Sequence, residues 1–358
     1  MATLDRGRLG EIVRHFPRLW LPALGRRARG FPHVLTVAIL SLSTALSTHA
    51  DAPAPLVLES RILLGDVRGR IDHLAIDIAR RILYVAELDD HSVGVLDLKA
   101  GRVVRRLVGF REPQGIGYVA ATDTLYVANG GDGSVRLFQG LDLTPAGRID
   151  LGDDADNIRF DPRSNRVWVG YGSGALAVID TLSRKKVASV ALRGHPESLQ
   201  FDESSRHVFV NVPDAHEIAV VDADGEKQIA SWPLGGLRGN FPMAIDAARQ
   251  QVLVAFRSPS KLGIFGLSTG RLKGVVGTCQ DADDVFVDTQ RTRAYVSCGG
   301  GFVDVLAATP NGYVRAAQVA TAIGARTALF VPELDRLFVA VRSSGAEPAA
   351  VWVFRPGP

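Results

Sequence analysis

Acidic, amide and imidazole side chains precede a series of short apolar segments that recur along the chain. When seven of these segments are aligned on an apolar residue near their end, the position four residues earlier is a carboxylate in four copies. The residues at that position are Asp72, Gln114, Asp156, Glu197, Phe241, Asp283 and Arg326. The next position holds His73, Gly115, Asn157, Ser198, Pro242, Asp284 and Thr327. Packed strands need apolar or small residues, so this change of residue type indicates a polar site.

Carboxylates that converge on one place repel one another, and they need a compensating charge. A hard cation such as Ca²⁺, a basic neighbour such as Arg326, or a cationic ligand would supply it. The predicted ligand site consists of His73, Gln114, Asp156, Asn157, Glu197, Asp283, Asp284 and Arg326. A Ca²⁺-like ion, if one binds, would be held by Asp156, Asn157, Glu197 and Asp283. The alternative is that these side chains are solvated loop residues that end turns.

The two cysteines, Cys279 and Cys298, are 19 residues apart in one repeat. A hairpin that turns near Gln290 places Cys298 opposite about Asp283, which leaves Cys279 one bend away. We predict a disulfide in an oxidising compartment, with a stabilisation of about 3 kcal/mol for a loop of this length. Two free thiols are the alternative, and a zinc site completed by Asp281 or His195 is a third interpretation.

One apparent catalytic motif falls in the wrong structural context. Residues 266–270 have the Gly-x-Ser-x-Gly pattern of a nucleophile elbow, which requires a strand, a sharp turn and then a helix. Here the motif occupies the turn between the last two strands of a repeat. The sequence also has no P-loop, no haem-attachment motif and no dinucleotide fingerprint. The sequence therefore leaves the catalytic residues, if the protein is an enzyme, unknown.

The elements that must position the polar residues form an internal repeat. Seven strand-like runs have second positions separated by 42, 42, 41, 44, 42 and 43 residues, and they lie at 83–86, 125–128, 167–170, 208–211, 252–255, 294–297 and 337–340. Each run follows a short apolar segment and precedes two further strand patterns, which makes four antiparallel strands per unit. Four-stranded units repeated at this period predict an all-β, seven-bladed β-propeller.

The two ends of the chain predict how the ring closes. After the seventh run only one more strand follows, at residues 350–354, so the last blade lacks its outermost strand. Residues 56–65 resemble an outer strand and precede a complete first repeat. We predict that this N-terminal strand completes the last blade and that residues 51–358 form a single propeller domain.

One repeat carries a family resemblance. It reads LYVAN at residues 125–129, followed by GSVRLF at residues 133–138. This pattern resembles the YVTN-type seven-bladed β-propeller repeat of exported bacterial proteins, and the likeness extends over about residues 56–354. The resemblance implies a propeller of the WD40-like kind that binds ligands or partners, and it brings no shared catalytic motif.

The N-terminal 50 residues differ from the rest of the chain in charge. They hold seven arginines and two acidic residues, followed by an apolar run at residues 34–46 and small residues before Asp51. This arrangement is typical of a Sec-type signal peptide, with cleavage after Ala50. An uncleaved anchor is the alternative. The remaining chain has 34 basic and 36 acidic residues, so the net charge of +3 gives no support for nucleic-acid binding.

These observations favour a periplasmic or secreted monomer that binds a small polar ligand or a partner protein where the inner strands converge. We expect no membrane span after cleavage of the signal peptide. The alternative function is that of a metal-dependent hydrolase of the gluconolactonase-type propeller class, in which Glu, Asn and Asp on the axis hold Ca²⁺. That alternative rests on an analogy of fold, and Asp156, Asn157, Glu197 and Asp283 have the required side-chain types.

Overall fold

The sequence repeat folds into seven four-stranded antiparallel sheets, which we call blades 1 to 7 in chain order. The computed structural model describes residues 54–345 and 347–358. The signal peptide predicted over residues 1–50 lies outside the described residues. The first strands of neighbouring blades contact one another in a closed cycle, so the sheets form a ring around one axis. The predicted seven-bladed β-propeller is confirmed.

Strand β1, Leu56–Gly65, precedes blade 1. Blade 1 consists of β2 to β5, at Leu74–Asp77, Ile82–Glu87, Ser92–Asp97 and Arg102–Val108. Blade 2 consists of β6 to β9, at Pro113–Val119, Thr124–Asn129, Ser134–Gln139 and Thr144–Asp150. Blade 3 consists of β10 to β13, at Ala155–Asp161, Arg166–Tyr171, Ala175–Asp180 and Lys185–Ala191. Blade 4 consists of β14 to β17, at Leu199–Asp202, His207–Val212, Glu217–Asp222 and Lys227–Pro233.

Blade 5 consists of β18 to β21, at Arg238–Asp246, Gln251–Ser258, Ser260–Gly266 and Leu272–Gly277. Blade 6 consists of β22 to β25, at Ala282–Asp288, Arg293–Cys298, Phe302–Thr309 and Gly312–Ala320. Blade 7 contains β26 to β28, at Ala328–Val331, Arg336–Val341 and Ala349–Pro356. Three short 3₁₀ helices lie between first and second strands, at Ala120–Thr122, Ala247–Arg249 and Pro332–Leu334. No helix of the described residues is long and apolar enough to cross a membrane.

The hydrophobic core lies between neighbouring blades. Second strands are buried on both faces, as β7 shows with every residue buried, whereas outer strands such as β9 are mostly exposed. Seven apolar clusters each join two adjacent blades, and Tyr126 and Trp168 are among the largest buried side chains. Burial on both faces explains why the second strands read as continuous apolar runs rather than alternating ones.

Aspartates at the ends of the inner strands form turns and also link neighbouring blades. Asp77 Oδ1 accepts the backbone N–H of Arg80 at 3.1 Å. The Arg80 guanidinium donates to Asp77 Oδ2 and to Asp123 Oδ1 of blade 2, both at 2.7 Å. Arg291 joins Asp288 to Asp335 of blade 7 in the same way. These bonds lie on the bottom face, which we define by the turns that join first to second strands.

The ring closes through strand β1. It pairs with β28 from Leu56 opposite Pro356 to Gly65 opposite Ala349, and the sheet order of blade 7 is β1, β28, β27, β26. Leu64 of β1 packs in one apolar cluster with Leu83 of blade 1. The predicted closure by the N-terminal strand is confirmed.

Candidate functional site

The loops that lead into the inner strands meet at one polar cavity on the top face, opposite the bottom face. We call it the axial cavity, and its volume is about 370 Å³. All eight residues of the predicted ligand site line it: His73, Gln114, Asp156, Asn157, Glu197, Asp283, Asp284 and Arg326. The structure therefore brings the set together, while its binding of a ligand stays a prediction.

Irregular strand pairing delivers several of these side chains to the cavity. The register between β10 and β11 shifts between Ala155 and Ile158, so Asp156 and Asn157 lie in a bulge. A similar shift between β22 and β23 places Asp283 out of register. Bulges re-aim side chains and are frequent beside functional sites. Gly115 of blade 2 is required there, since a Cβ atom on it would lie 2.1 Å from the Asp156 carbonyl oxygen.

Six further charged residues line the axial cavity, and none of them belongs to the ligand site predicted from the sequence. They are Arg70, Asp72, Glu112, Asp154, His195 and Arg257. Asp72 directly precedes His73, and His195 lies two residues before Glu197, so proximity in the loop is a signal that could have found both. Arg257 lies near the end of β19, far along the chain from the loop of its own blade, and only the fold places it at the cavity.

His73 is held in its charged form by surrounding carboxylates. Its Nδ1 atom lies 2.8 Å from Asp72 Oδ1, at ion-pair distance but without hydrogen-bond geometry. Burial opposes the charged imidazolium, but Asp72, Asp156 and Asp284 outweigh it and raise the pKa of His73 to about 10. Burial likewise opposes the Asp72 carboxylate, yet His73 and two arginines lower its pKa. The pair is therefore ionic at neutral pH.

His195 is a second cation at the cavity wall. Its Nδ1 atom lies 2.6 Å from the Gly172 carbonyl oxygen, which only accepts, so Nδ1 carries a proton. Nε2 lies 3.9 Å from Asp156 Oδ2, and Nδ1 lies 3.6 Å from Asp154 Oδ2. Burial opposes the charged ring, but Asp156, the Gly172 carbonyl and Asp154 raise the pKa of His195 to about 9.

Asp283 lies between two guanidinium groups. Arg257 donates to its Oδ1 atom, and Arg326 Nε lies 3.0 Å from its Oδ2 atom. The Arg257 guanidinium also stacks on Phe241, 3.7 Å from the ring centroid. Burial raises the pKa of Asp283, and the two arginines oppose that rise. Both carboxylate oxygens are thus already used by protein cations.

The residues predicted to hold Ca²⁺ do not form a ligand cage. Asp283 is committed to Arg257 and Arg326, and His195 lies beside Asp156. Within residues 54–345 and 347–358, no three His, Cys or acidic side chains are grouped closely enough to hold a metal ion. A Ca²⁺ ion needs six to eight oxygen ligands. These side chains do not fit the ion, and we derive no chemistry through it.

Two buried oxygen atoms on residues that line the cavity have no donor among the described residues. They are Asp156 Oδ1 and Asn157 Oδ1, on side chains of residues only 7% and 2% exposed. Nearby, burial together with Asp156 and Asp283 raises the pKa of Glu197 to about 8. Burial and Asp283 raise the pKa of Asp284 to about 7. This part of the cavity therefore groups hydrogen-bond acceptors and acidic side chains closely together.

The charges at the cavity predict that the fold loses stability as pH rises. The folded-state pKa of Glu197, about 8, lies above its ordinary 4.5, so its contribution is full below pH 4.5 and is lost as pH rises through 8. The contributions of His73 and His195 are full below pH 6.5 and are lost as pH rises through about 10 and 9. The free energy of unfolding, measured by urea denaturation, should therefore fall from pH 5 to pH 9.

A matched pair of variants tests whether Glu197 causes part of the pH dependence of the free energy of unfolding. Glu197→Gln should flatten the fall in stability between pH 5 and pH 8, because glutamine does not titrate. Glu203→Gln, at an exposed position in a bottom-face turn, should keep the wild-type slope. A stability that rises over this range, or equal slopes for wild type and Glu197→Gln, would contradict the assignment.

Comparisons with known proteins give the fold and no family. No family model matches the chain, and no curated protein sequence matches it. A chain in a structure titled "Crystal Structure of Mitotic Checkpoint Complex" is similar, with a TM-score of 0.70 and 12% identity, over 93% of this chain and 99% of that one. In all, 1710 chains of solved structures match, so the likeness is to a widely used architecture and shows the fold alone.

Proposed function

We propose that this protein is an exported, monomeric β-propeller scaffold that binds a small cationic ligand in the axial cavity. The observation that carries the proposal is the pair of buried acceptors, Asp156 Oδ1 and Asn157 Oδ1, which no protein donor reaches among the described residues. A buried acceptor without a partner costs free energy, and an N–H group of a ligand would recover it. Export rests on the charge and apolar pattern of residues 1–50.

The charge of the cavity supports a cation as the ligand. Seven carboxylates and five basic side chains line it, and the basic ones are Arg70, His73, His195, Arg257 and Arg326. Burial is the main cause of the raised pKa of Glu197, and Asp156 and Asp283 add to the rise because a further negative charge is disfavoured beside them. A bound ammonium group would relieve the repulsion and favour the ionised carboxylate.

The size of the cavity supports a small molecule. Its volume, about 370 Å³, lies at the lower end of the range for ligand pockets. A partner protein is the second candidate, since the inner loops of the propeller also form its top face. Such a partner would have to place a basic side chain in the axial cavity, so the same residues carry both candidates. The hydrolase alternative receives no support from the residues proposed to hold its metal.

Thermal-shift and calorimetric titration with ethylamine, putrescine and choline test the proposal, with Ca²⁺ as a separate probe. At least one amine should raise the melting temperature of the protein. Asp156→Asn should weaken its binding about tenfold, because a charge-assisted hydrogen bond is lost. Asp142→Asn, a change in a bottom-face turn, is the matched control and should bind as the wild type does. Stabilisation by Ca²⁺ alone, or amine binding that Asp156→Asn leaves intact, would overturn the proposal.

A further inference from the structure

A second, smaller pocket opens beside the axial cavity and is lined by arginines. Its volume is about 110 Å³, and Arg70, Arg326 and Arg342 line it with Asp281 as its only acidic residue. We call it the arginine pocket. Arg70 and Arg326 also line the axial cavity, so the two spaces share a wall.

Arg342 is exposed and has no carboxylate partner among the described residues. Its guanidinium packs closely against Gly324. A Cβ atom added to Gly324 would lie only 2.3 Å from Arg342 Nε. The other two arginines already use some of their N–H donors. Arg70 Nη2 donates to Asp72 at 3.0 Å, and Arg326 Nε lies 3.0 Å from Asp283. A guanidinium has five N–H donors, so all three retain donors for a ligand.

The charges around the axial cavity and its neighbouring pockets are divided between two sides. On blades 2 to 4, five carboxylates face one histidine: Glu112, Asp153, Asp154, Asp156 and Glu197 against His195. On blades 5, 6, 7 and 1, five basic side chains face four carboxylates: Arg70, His73, Arg257, Arg326 and Arg342 against Asp72, Asp281, Asp283 and Asp284. The first side therefore has more acidic than basic side chains, and the second has one more basic than acidic side chain.

We propose that the arginine pocket takes the anionic group of a zwitterionic small molecule whose ammonium group lies in the axial cavity. The ligand class is an amine that also carries a carboxylate or a phosphate. Guanidinium groups bind both anions through paired hydrogen bonds, and a pocket of this volume holds such a group but not a whole ligand. The cationic half of this inference rests on the proposed function.

Calorimetric titration of the full-length protein with single-charge and zwitterionic probes tests the inference. Ethylamine carries only the cation, and acetate and inorganic phosphate carry only the anion. Amino acids from β-alanine to 6-aminohexanoate vary the spacing of the two charges, and phosphoethanolamine replaces the carboxylate with a phosphate. At least one zwitterion should bind about tenfold more tightly than ethylamine. Comparison of β-alanine with phosphoethanolamine distinguishes the two anions.

Substitutions of Arg342 assign the effect to the arginine pocket. Arg342→Gln should weaken zwitterion binding about tenfold and leave ethylamine binding unchanged. Arg342→Lys, which keeps the charge, should retain part of the affinity, and Arg102→Gln on an exposed outer strand should change nothing. Asp156→Asn should weaken ethylamine and the zwitterion but not phosphate.

The outcomes separate the two proposals. If ethylamine binds, but no zwitterion binds more tightly and Arg342→Gln has no effect, the arginine pocket is not an anion site and the proposed function stands. If phosphate binds in a manner that depends on Arg342 while no amine binds, the anion site is supported and the cationic ligand is wrong. Zwitterion binding that Arg102→Gln weakens as much as Arg342→Gln would overturn the assignment to this pocket.

Discussion

A protein that begins at Asp66, and so lacks β1, is expected to aggregate or to lose its cooperative unfolding transition. In the structure β1 forms the outer strand of blade 7, and without it β28 would expose a full strand edge. The buried side chains of Leu56, Ile62 and Leu64 would be lost as well. Each buried Leu or Ile contributes about 2 to 5 kcal/mol, so together they approach the entire stability of a typical domain, about 5 to 15 kcal/mol.

Two adjacent leucines of β1 provide a matched test within the intact chain. Leu64 is 1% exposed and packs between blades 7 and 1, whereas Leu63 is 57% exposed. Leu64→Ala should lower the free energy of unfolding by about 3 kcal/mol, and Leu63→Ala should change it by less than about 1 kcal/mol. Urea denaturation measures both values. If the truncated protein melts as the complete protein does, or if the two leucines behave alike, ring closure does not depend on β1.

Reduction of the Cys279 to Cys298 disulfide should lower the free energy of unfolding by about 3 kcal/mol. The two residues are bonded in the structure, with their Cα atoms 5.9 Å apart and a separation of 19 positions in the chain. Both are buried in the core cluster between blades 5 and 6. The bond closes the first hairpin of blade 6, next to Asp281 and Asp283, so its loss should also loosen this wall of the axial cavity.

The measurement is urea denaturation with and without reductant, together with intact mass after alkylation. Unreduced protein should take up no alkyl group, and reduced, unfolded protein should take up two. The double variant Cys279→Ala with Cys298→Ala is the control, and its unfolding midpoint should not respond to reductant. Two alkylated cysteines in protein prepared without reductant, or equal midpoints with and without it, would contradict this prediction.

The sequence by itself determined the architecture. Blade number, strand order and ring closure follow from apolar runs spaced 41 to 44 residues apart and from one unpaired strand pattern at each end. The signals for these features are local, since each strand is specified by its own residues and by its spacing from the next. The disulfide could also be predicted from the sequence, because the hairpin register placed Cys298 opposite about Asp283. The structure pairs Cys298 with the adjacent Ala282.

The structure brings the predicted site residues together, and their binding of a ligand stays a prediction. All eight residues line one cavity because each was placed by its position in the repeat. The sequence did not reveal that Asp283 is bound by Arg257 and Arg326, or that the set is unsuited to calcium. The sequence did not predict a role for Arg342, because this residue belongs to a loop that follows a second strand and such loops vary from blade to blade.

Only the tertiary structure decided which charges pair and which oxygens are left without a donor. Asp156 and Asp284 lie in different blades and are far apart in sequence, yet both raise the pKa of His73. Such interactions fall off over a few ångströms, whereas repeat spacing locates a residue only to within a loop. The loops themselves take conformations that spacing does not encode, as in the left-handed backbone of Asp154 and Asp281. The repeat therefore specified which residues meet at the axis, and the three-dimensional packing of seven loops specified what they can bind.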